Sequence, residues 1–286
     1  MLCAVGDLIE DIVVQLHDGI RRDTDTASTI VRRRGGSAAN VAYFAAKLTG
    51  QSRFVGCVGS DPLGDSLVAQ LTRHGVEVCG ERHGRTGCIV VMAATDGTRT
   101  MLTDRGSATE LRHADDAWLT GVTVVHLPLY SFSQDPLAAT ARGMVRSARE
   151  RDAVVSLDLS SVALIEQLGV ERVSELLAET KPEVLFCTRA EAAVAAIDAH
   201  HLRGAHLVVV KDGANPVCVL GGGGSQQSFV VNAVARVVDA TGAGDAFAAG
   251  FLTAFEQRHA VAECVARGSE LAARVVMLPG AALEGE

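Results

Sequence analysis

No apolar run in this chain approaches the ~20 residues that a membrane-spanning helix needs, so a membrane partner is not expected. A basic excess is missing too. Lys and Arg number 26 against 34 Asp and Glu, a formal charge of −8 at pH 7. Binding to a phosphate backbone needs a broad basic face, so nucleic acid is not expected either. The local exception, Arg32–Arg34, reads as a solvated strand end. Paired cysteines are absent. The seven cysteines are odd in number and scattered, with no CxxC spacing. Several sit inside apolar runs, as buried thiols do in a reducing compartment. Met1 leads straight into "LCAVG" with no basic segment before it, so no signal peptide is expected and the cytoplasm is the expected location. HExxH and paired Cys/His clusters are lacking, which argues against a zinc site. Without a Gly-Lys pair there is no P-loop, and without HRD or DFG there is no protein-kinase set. GxGxxG is missing after the first strand, which argues against a dinucleotide oxidoreductase.

What is present points to layers. The 286 residues are 48% hydrophobic and 21% charged, enough to bury a large core. Short apolar runs predict strands at Leu2–Val5, Arg53–Val58, Val122–Leu127, Val154–Leu159, Val184–Cys187 and Leu207–Lys211. Amphipathic segments lie between them, as in Val41, Phe44, Ala45 and Leu48, and over Ala138–Arg151. Alternating strands and helices predict an α/β fold with a mostly parallel sheet covered on both faces. Ligands in such sheets bind at the carboxyl ends of the strands. Two regions break the rhythm. Ile12–Arg34 is strand-like without an intervening helix, and Gly87–Leu102 reads as a hairpin around Thr95-Asp96-Gly97. Strands from residues about 12–34 and 84–105 are therefore expected to form a small β lid. A second hairpin, Pro216–Leu220 with Ser228–Val231, flanks a glycine loop tip at Gly221–Gly224. With no internal repeat and no long linker, residues 1–286 are read as one domain.

Three polar clusters interrupt the apolar pattern. "GDLIEDIVV" places Asp7 just after the first strand and Asp11 four residues on. "RRRGGSAANVAYFAAKL" puts Gly35-Gly36 before a helix, with Ser37 as its N-cap and Asn40 in the first turn. Asn is a mediocre helix former, but its amide both donates and accepts and suits a polyhydroxylated ligand. "VVDATGAGDAFAAGF" places Thr241-Gly242-Ala243-Gly244 at the mouth of a helix carrying Phe247, Phe251 and Phe255. Backbone N–H groups there can hold an anion. Asp245 beside them would repel that anion, unless it accepts a proton from an attacking hydroxyl.

Together the two glycine motifs resemble the signatures of the ribokinase-like (PfkB) carbohydrate kinases. "GGSAANVAYFAAKLTG" resembles the N-terminal one and "DATGAGDAFAAGF" the C-terminal one. "VGDLIEDIVV", "VGSDPLGDSL" and "AARVVMLPGA" match in order along nearly the whole chain. The resemblance implies a three-layer αβα sandwich with a β lid, and phosphoryl transfer from ATP, with Mg2+, to a sugar hydroxyl. It implies that Asp245 is the base and that Gly242, Ala243 and Gly244 hold the γ-phosphate. Asp11, Gly36 and Asn40 fall at acceptor positions. Thr188, Lys211, Gly213 and Thr241 fall on the nucleotide side. Glu191 matches an acid that organises magnesium through water, and Asp239 the place of a monovalent cation such as K+. Two positions depart from the pattern: Thr188 stands where Asn is usual, and Ala240 where Thr is common.

The implied reaction moves the γ-phosphate of ATP to a hydroxymethyl group of a ribose-, fructose- or ketodeoxygluconate-type sugar. A helix N-terminus is expected to hold Asp245 at a low pKa, tolerable when the proton leaves late. Arg105 in "LTDRGSATEL" is read as a surface arginine or as a substrate contact suited to an acidic sugar or a phosphate. A nucleoside acceptor would want an aromatic platform. The chain is only 4% aromatic, with Tyr130, Phe132 and Phe44 as candidates. A non-catalytic sugar or nucleotide sensor on the same fold is the reading of a different class. The lid's open sheet edges suggest a homodimer.

Overall fold

The computed structural model describes residues 1–94, 99–231, 234, 236–278 and 280–283. The expected turn Thr95-Asp96-Gly97 lies outside them. In chain order the strands and helices are β1 (Leu2–Val5), β2 (Ile9–Leu16), β3 (Ser28–Gly35), α1 (Ser37–Thr49), β4 (Ser52–Val58), α2 (Pro62–Arg73), β5 (Val76–Arg82), β6 (Thr86–Ala93) and β7 (Arg99–Gly106). There follow β8 (Val124–Pro128), α3 (Leu137–Arg149), β9 (Val154–Asp158), α4 (Val162–Leu168), α5 (Val170–Thr180), β10 (Val184–Thr188) and α6 (Arg189–Val194). The chain continues through β11 (Leu207–Lys211), β12 (Val217–Gly221), β13 (Ser225–Phe229), α7 (Ala243–Glu256) and α8 (Val261–Val275).

Among the described residues, nine strands form one sheet in the order β13-β12-β11-β10-β9-β8-β1-β4-β5. It is parallel from β11 to β5, and the β12–β13 hairpin adds antiparallel at one edge. Side chains alternate between its two faces. Leu2 and Ala4 of β1 join one core with α1, α7 and α8, while Cys3 and Val5 join another with α3, α4 and α5. Two helical layers therefore enclose the sheet, which is the expected αβα sandwich. A second sheet of four strands, β3-β2-β6-β7, carries the segments expected to form the lid.

Two helices fix the geometry at the sheet's carboxyl edge. Helix α1 is rich in alanine, the best helix former, and is buried from Ala38 to Ala46. Gly50 closes it in the left-handed region, donating to the carbonyl of Ala46. Helix α7 starts at Gly242, φ 76°. Its Phe247, Phe251 and Phe255 stack along one face, and Phe186 of β10 meets Phe251 edge-on at 5.3 Å. Burying each ring is worth roughly 1.5–3 kcal/mol, so the mouth of α7 is held by a rigid apolar anchor.

Several expectations change. Strand β2 starts at Ile9 rather than 12, so Glu10 and Asp11 lie within it. Strand β5 was not expected: as the sheet's edge it buries little, and its polar residues mask the alternation. Arg32–Arg34 is not simply a solvated strand end. Arg32 is exposed and pairs with Glu10 at 2.8 Å. Arg34 is buried, donates to the carbonyl of Ala281 at 3.0 Å, and lies 4.0 Å over the Tyr43 ring. Among the described residues no helix is long and apolar enough to cross a membrane.

Candidate active site

Helices α1 and α7 pack together, and their N-termini meet at one carboxylate. Asp245, in the first turn of α7, accepts from the Ser37 hydroxyl at 2.7 Å on one oxygen and from the Asn40 amide at 2.9 Å on the other. Ser37 is thus not the N-cap of α1, as its sequence position suggests. Gly36 is, at φ 98°, and no side chain caps that helix end. The Ser37 hydroxyl is spent on Asp245 instead. A side chain on Gly36 would run into the Asp7 carbonyl, so the close approach of β1's exit to α1 requires glycine. The Asn40 Oδ1 is buried and has no hydrogen-bond partner among the described residues. A buried acceptor left bare is costly, and a ligand hydroxyl would satisfy it.

Burial pushes the Asp245 carboxyl up to about 7 and nearby Asp158 adds to the rise, while Ser37, Asn40 and Lys211 pull the other way. The low value expected from the helix dipole is therefore overturned, because desolvation outweighs the dipole. Asp11 is pushed up to about 6, first by burial and then by Asp7, with Arg34 opposing. Its carboxylate lies over Gly35, where a Cβ would overlap it.

Arg105 is not a surface arginine. Its Nη1 donates to Asp7 Oδ2 at 2.7 Å, and its guanidinium sits 3.9 Å over the Tyr130 ring. Asp7 is buried and also accepts from the Ala38 N–H at 3.4 Å. The four residues expected on the acceptor side therefore form one connected patch. Gly36 caps the helix carrying Asn40, Asp11 lies against Gly35, and Arg105 reaches the same strand exit through Asp7.

On the other side of Asp245, Lys211 at the end of β11 donates to Asp158 Oδ2 at 2.6 Å. Its Nζ lies 3.3 Å from where a Cβ on Gly244 would stand, so the lysine sits against the glycine turn. Burial alone would lower its pKa, but Asp158, Glu191 and Asp245 outweigh it and hold it raised. Asp158 escaped the sequence reading. The signal was there, an acid at the carboxyl end of a strand, as with Asp7. Glu191 is buried, and burial with Asp158 raises its pKa. It forms a reciprocal capping box with Thr188: the Thr188 N–H donates to Glu191 Oε2 at 2.7 Å and the Glu191 N–H to Thr188 Oγ1 at 3.2 Å.

Two expected residues stand apart. Gly213 lies in an exposed turn, with nothing within 4 Å of its Cβ position. Asp239 has both oxygens engaged: Oδ1 accepts from the Thr241 N–H at 2.9 Å and its hydroxyl at 2.7 Å, and Oδ2 from the Gly280 N–H at 3.0 Å. These bonds knot the glycine turn to the segment after α8. Ala240 contributes its carbonyl to the same turn, accepting from the Ala243 N–H at 3.2 Å.

Comparison with known proteins identifies the family and the fold. The profile of the pfkB family carbohydrate kinases matches residues 1–284. A fructokinase of Vibrio alginolyticus is 26% identical over 277 residues, spanning 89% of this chain and 83% of the relative. An ATP-dependent ribose-1-phosphate kinase of Halopiger xanaduensis is 33% identical over 229 residues, 76% of this chain and 72% of the relative. Among solved structures, adenosine kinase from Sinorhizobium meliloti superposes with a TM-score of 0.88 over 99% of this chain and 96% of its own. At 23% identity that likeness speaks to the fold alone.

Proposed function

The chain belongs to the pfkB family of carbohydrate kinases, and from that premise we propose that it transfers the γ-phosphate of ATP to a hydroxymethyl group of a small neutral sugar, with Asp245 as the base. The observation that carries this is the placement of Asp245 between the turn of Gly242–Gly244 and the hydroxyl and amide of α1, with a pKa raised to about 7. A base poised near the working pH accepts a proton best. In the proposed reaction the acceptor oxygen forms a bond to the γ-phosphorus and the bond from that phosphorus to the β,γ-bridging oxygen breaks. ADP leaves, and the hydroxyl proton passes to Asp245. In this proposal the N–H groups of Gly242 and Gly244 hold the transferring phosphoryl oxygens, while that of Ala243 serves the turn through the Ala240 carbonyl. Lys211 adds positive charge beside Gly244, and Thr188 and Thr241 line the nucleotide side.

Bound Mg2+ would neutralise phosphate charge. It keeps several waters and asks for a carboxylate or two. The buried acids Glu191 and Asp158 offer that chemistry: Glu191 gives Oε2 to Thr188, while Asp158 gives Oδ2 to Lys211 and Oδ1 to the Ser160 N–H at 2.8 Å, each oxygen keeping a further lone pair.

A neutral acceptor follows from charge. The charge of Arg105 is offset by its pairing with Asp7, which weakens the case for an acidic substrate, while Asp11 and Asn40 suit hydroxyls. A nucleoside fits less well. Phe44 and Phe132 are buried in the cores, and Arg105 already covers one face of Tyr130. A coupled ADP-release assay over ketoses, pentoses, acidic sugars and nucleosides tests the proposal. Turnover on a neutral sugar, lost in Asp245→Asn, is expected. Tight ligand binding without turnover on any acceptor would favour a sensor.

A further inference from the structure

Away from these residues, the edge of the large sheet gathers a second set of donor atoms. The register of β4 and β5 sets Cys57 directly beside Glu81, so both side chains leave the sheet on one face. His83, two residues past Glu81, returns to that face. Cys57 Sγ lies 3.4 Å from His83 Nε2, and His83 Nε2 lies 3.2 Å from Glu81 Oε2. All three donor atoms fall within 4.8 Å of one another. Thiolate, imidazole and carboxylate at ordinary zinc distances stand roughly 3.4–3.6 Å apart around a tetrahedron, close to the two separations made by His83 Nε2.

The carboxylate is also aimed. Glu81 Oε1 accepts from the N–H groups of Arg112 and His113 at 3.1 and 3.0 Å and pairs with His113 Nδ1 at 2.7 Å. That leaves Oε2 turned toward Cys57 and His83, the outer-shell support that orients metal ligands. Hydrogen bonding alone serves the three atoms poorly. Nε2 carries at most one proton, so it cannot donate to Glu81 while accepting from the Cys57 thiol. Cys57 is buried, whereas Glu81 and His83 are partly open, which leaves a side for entry.

We propose that Cys57, His83 and Glu81 bind a borderline-soft divalent cation of the zinc type, with water in the fourth position. Hard cations such as Mg2+ avoid thiolate, so this site is chemically separate from any that serves ATP. Its place suggests its effect. His83 opens the short connection from β5 to β6, where the chain leaves the large sheet for the small one. Ser107 already ties that connection: its hydroxyl lies 2.6 and 2.8 Å from the carbonyl oxygens of His83 and Arg85, sharing its one proton between them, and its N–H donates to the Arg85 carbonyl at 2.9 Å. A cation there would clamp the joint between the sheets and stabilise the folded chain by mass action.

The test uses the full chain stripped with a chelator and titrated with Zn2+ and Co2+. One equivalent should bind, with a thiolate-to-cobalt charge-transfer band and a Zn2+-dependent rise in Tm. Cys57→Ser and His83→Asn should each abolish both, and Cys79→Ser, altering a half-buried thiol on the same strand as Glu81, should leave both intact. His83 is partly exposed, so His83→Asn should match the wild-type Tm in chelator, which separates lost binding from lost folding. Absence of stoichiometric metal, or a band and Tm rise that survive in His83→Asn, overturns the site.

Discussion

Asp245 stands where two forces oppose each other. The mouth of α7 favours its charge by roughly 0.3–1 kcal/mol, and burial disfavours it; burial wins, and the carboxyl sits at about 7. Two consequences can be measured. In its proposed role as base, Asp245 acts only when ionised, so kcat/KM should fall as pH drops through about 7. Ser37→Ala removes a donor that favours the ionised form, so that limb should move to higher pH. Asp245→Asn should lower kcat by about 10²–10⁴-fold and leave ATP affinity nearly unchanged. Stability has the opposite sign. A carboxyl raised from 3.8 binds its proton more tightly folded than unfolded, so its favourable contribution is full below 3.8 and lost as pH rises through 7. The Tm of Asp245→Asn should therefore gain on wild type between pH 4 and pH 8. The Asn40 amide can turn its unpartnered oxygen toward the new amide, which keeps the substitution from leaving a donor facing a donor. A constant gap in Tm across that range would show that the wild-type carboxyl is not raised.

At the scale of elements, the site depends on strands that the chain does not keep adjacent. Lys211 ends β11 and Asp158 ends β9, with β10 between them, yet their side chains meet at 2.6 Å. Both are largely buried, so breaking the pair from one side strands a charge at a cost of roughly 3–5 kcal/mol. Lys211→Met should show that loss in denaturant unfolding and also lower kcat. Adding Asp158→Asn should recover part of the stability but not the activity; equal stability of single and double variants would mean the pair is not coupled. The same geometry explains what could be read from sequence. Strand β1, the glycines before α1 and the mouth of α7 are local signals, each legible in a few residues. Asp158 is not, because its meaning comes from a partner 53 residues away. Ser37 misled for a related reason: a serine after two glycines at a helix start has a local use as a cap, and the use it found is on another helix. Strand β5 was hidden because the alternation begun by Val76 and Val78 is lost at Gly80, Glu81 and Arg82, and only Val76 is fully buried.

For the molecule as a whole, the two sheets have different surfaces. The large one is enclosed by helices on both faces. The four-stranded one keeps both outer strands, β3 and β7, open, and exposes Ile30, Met101 and Leu102 on them, each more than half accessible. Open edges and exposed apolar side chains invite pairing with another strand. The occupant proposed is a second copy of the chain, because the same two strands offer both the apolar side chains and the unpaired backbone that a self-complementary contact needs. Two residues proposed to hold the acceptor lie on this sheet, Asp11 in β2 and Arg105 in β7, so a partner covering its outer strands would also limit its motion toward Asp245. Sedimentation should then find a dimer in wild type that Ile30→Glu with Leu102→Glu converts to monomer. The monomer should retain the fold by circular dichroism and show a raised KM for the sugar with a smaller change for ATP, since the large sheet that carries the nucleotide side is untouched. A monomeric wild type would remove the second copy from this account and leave the small sheet to move by itself.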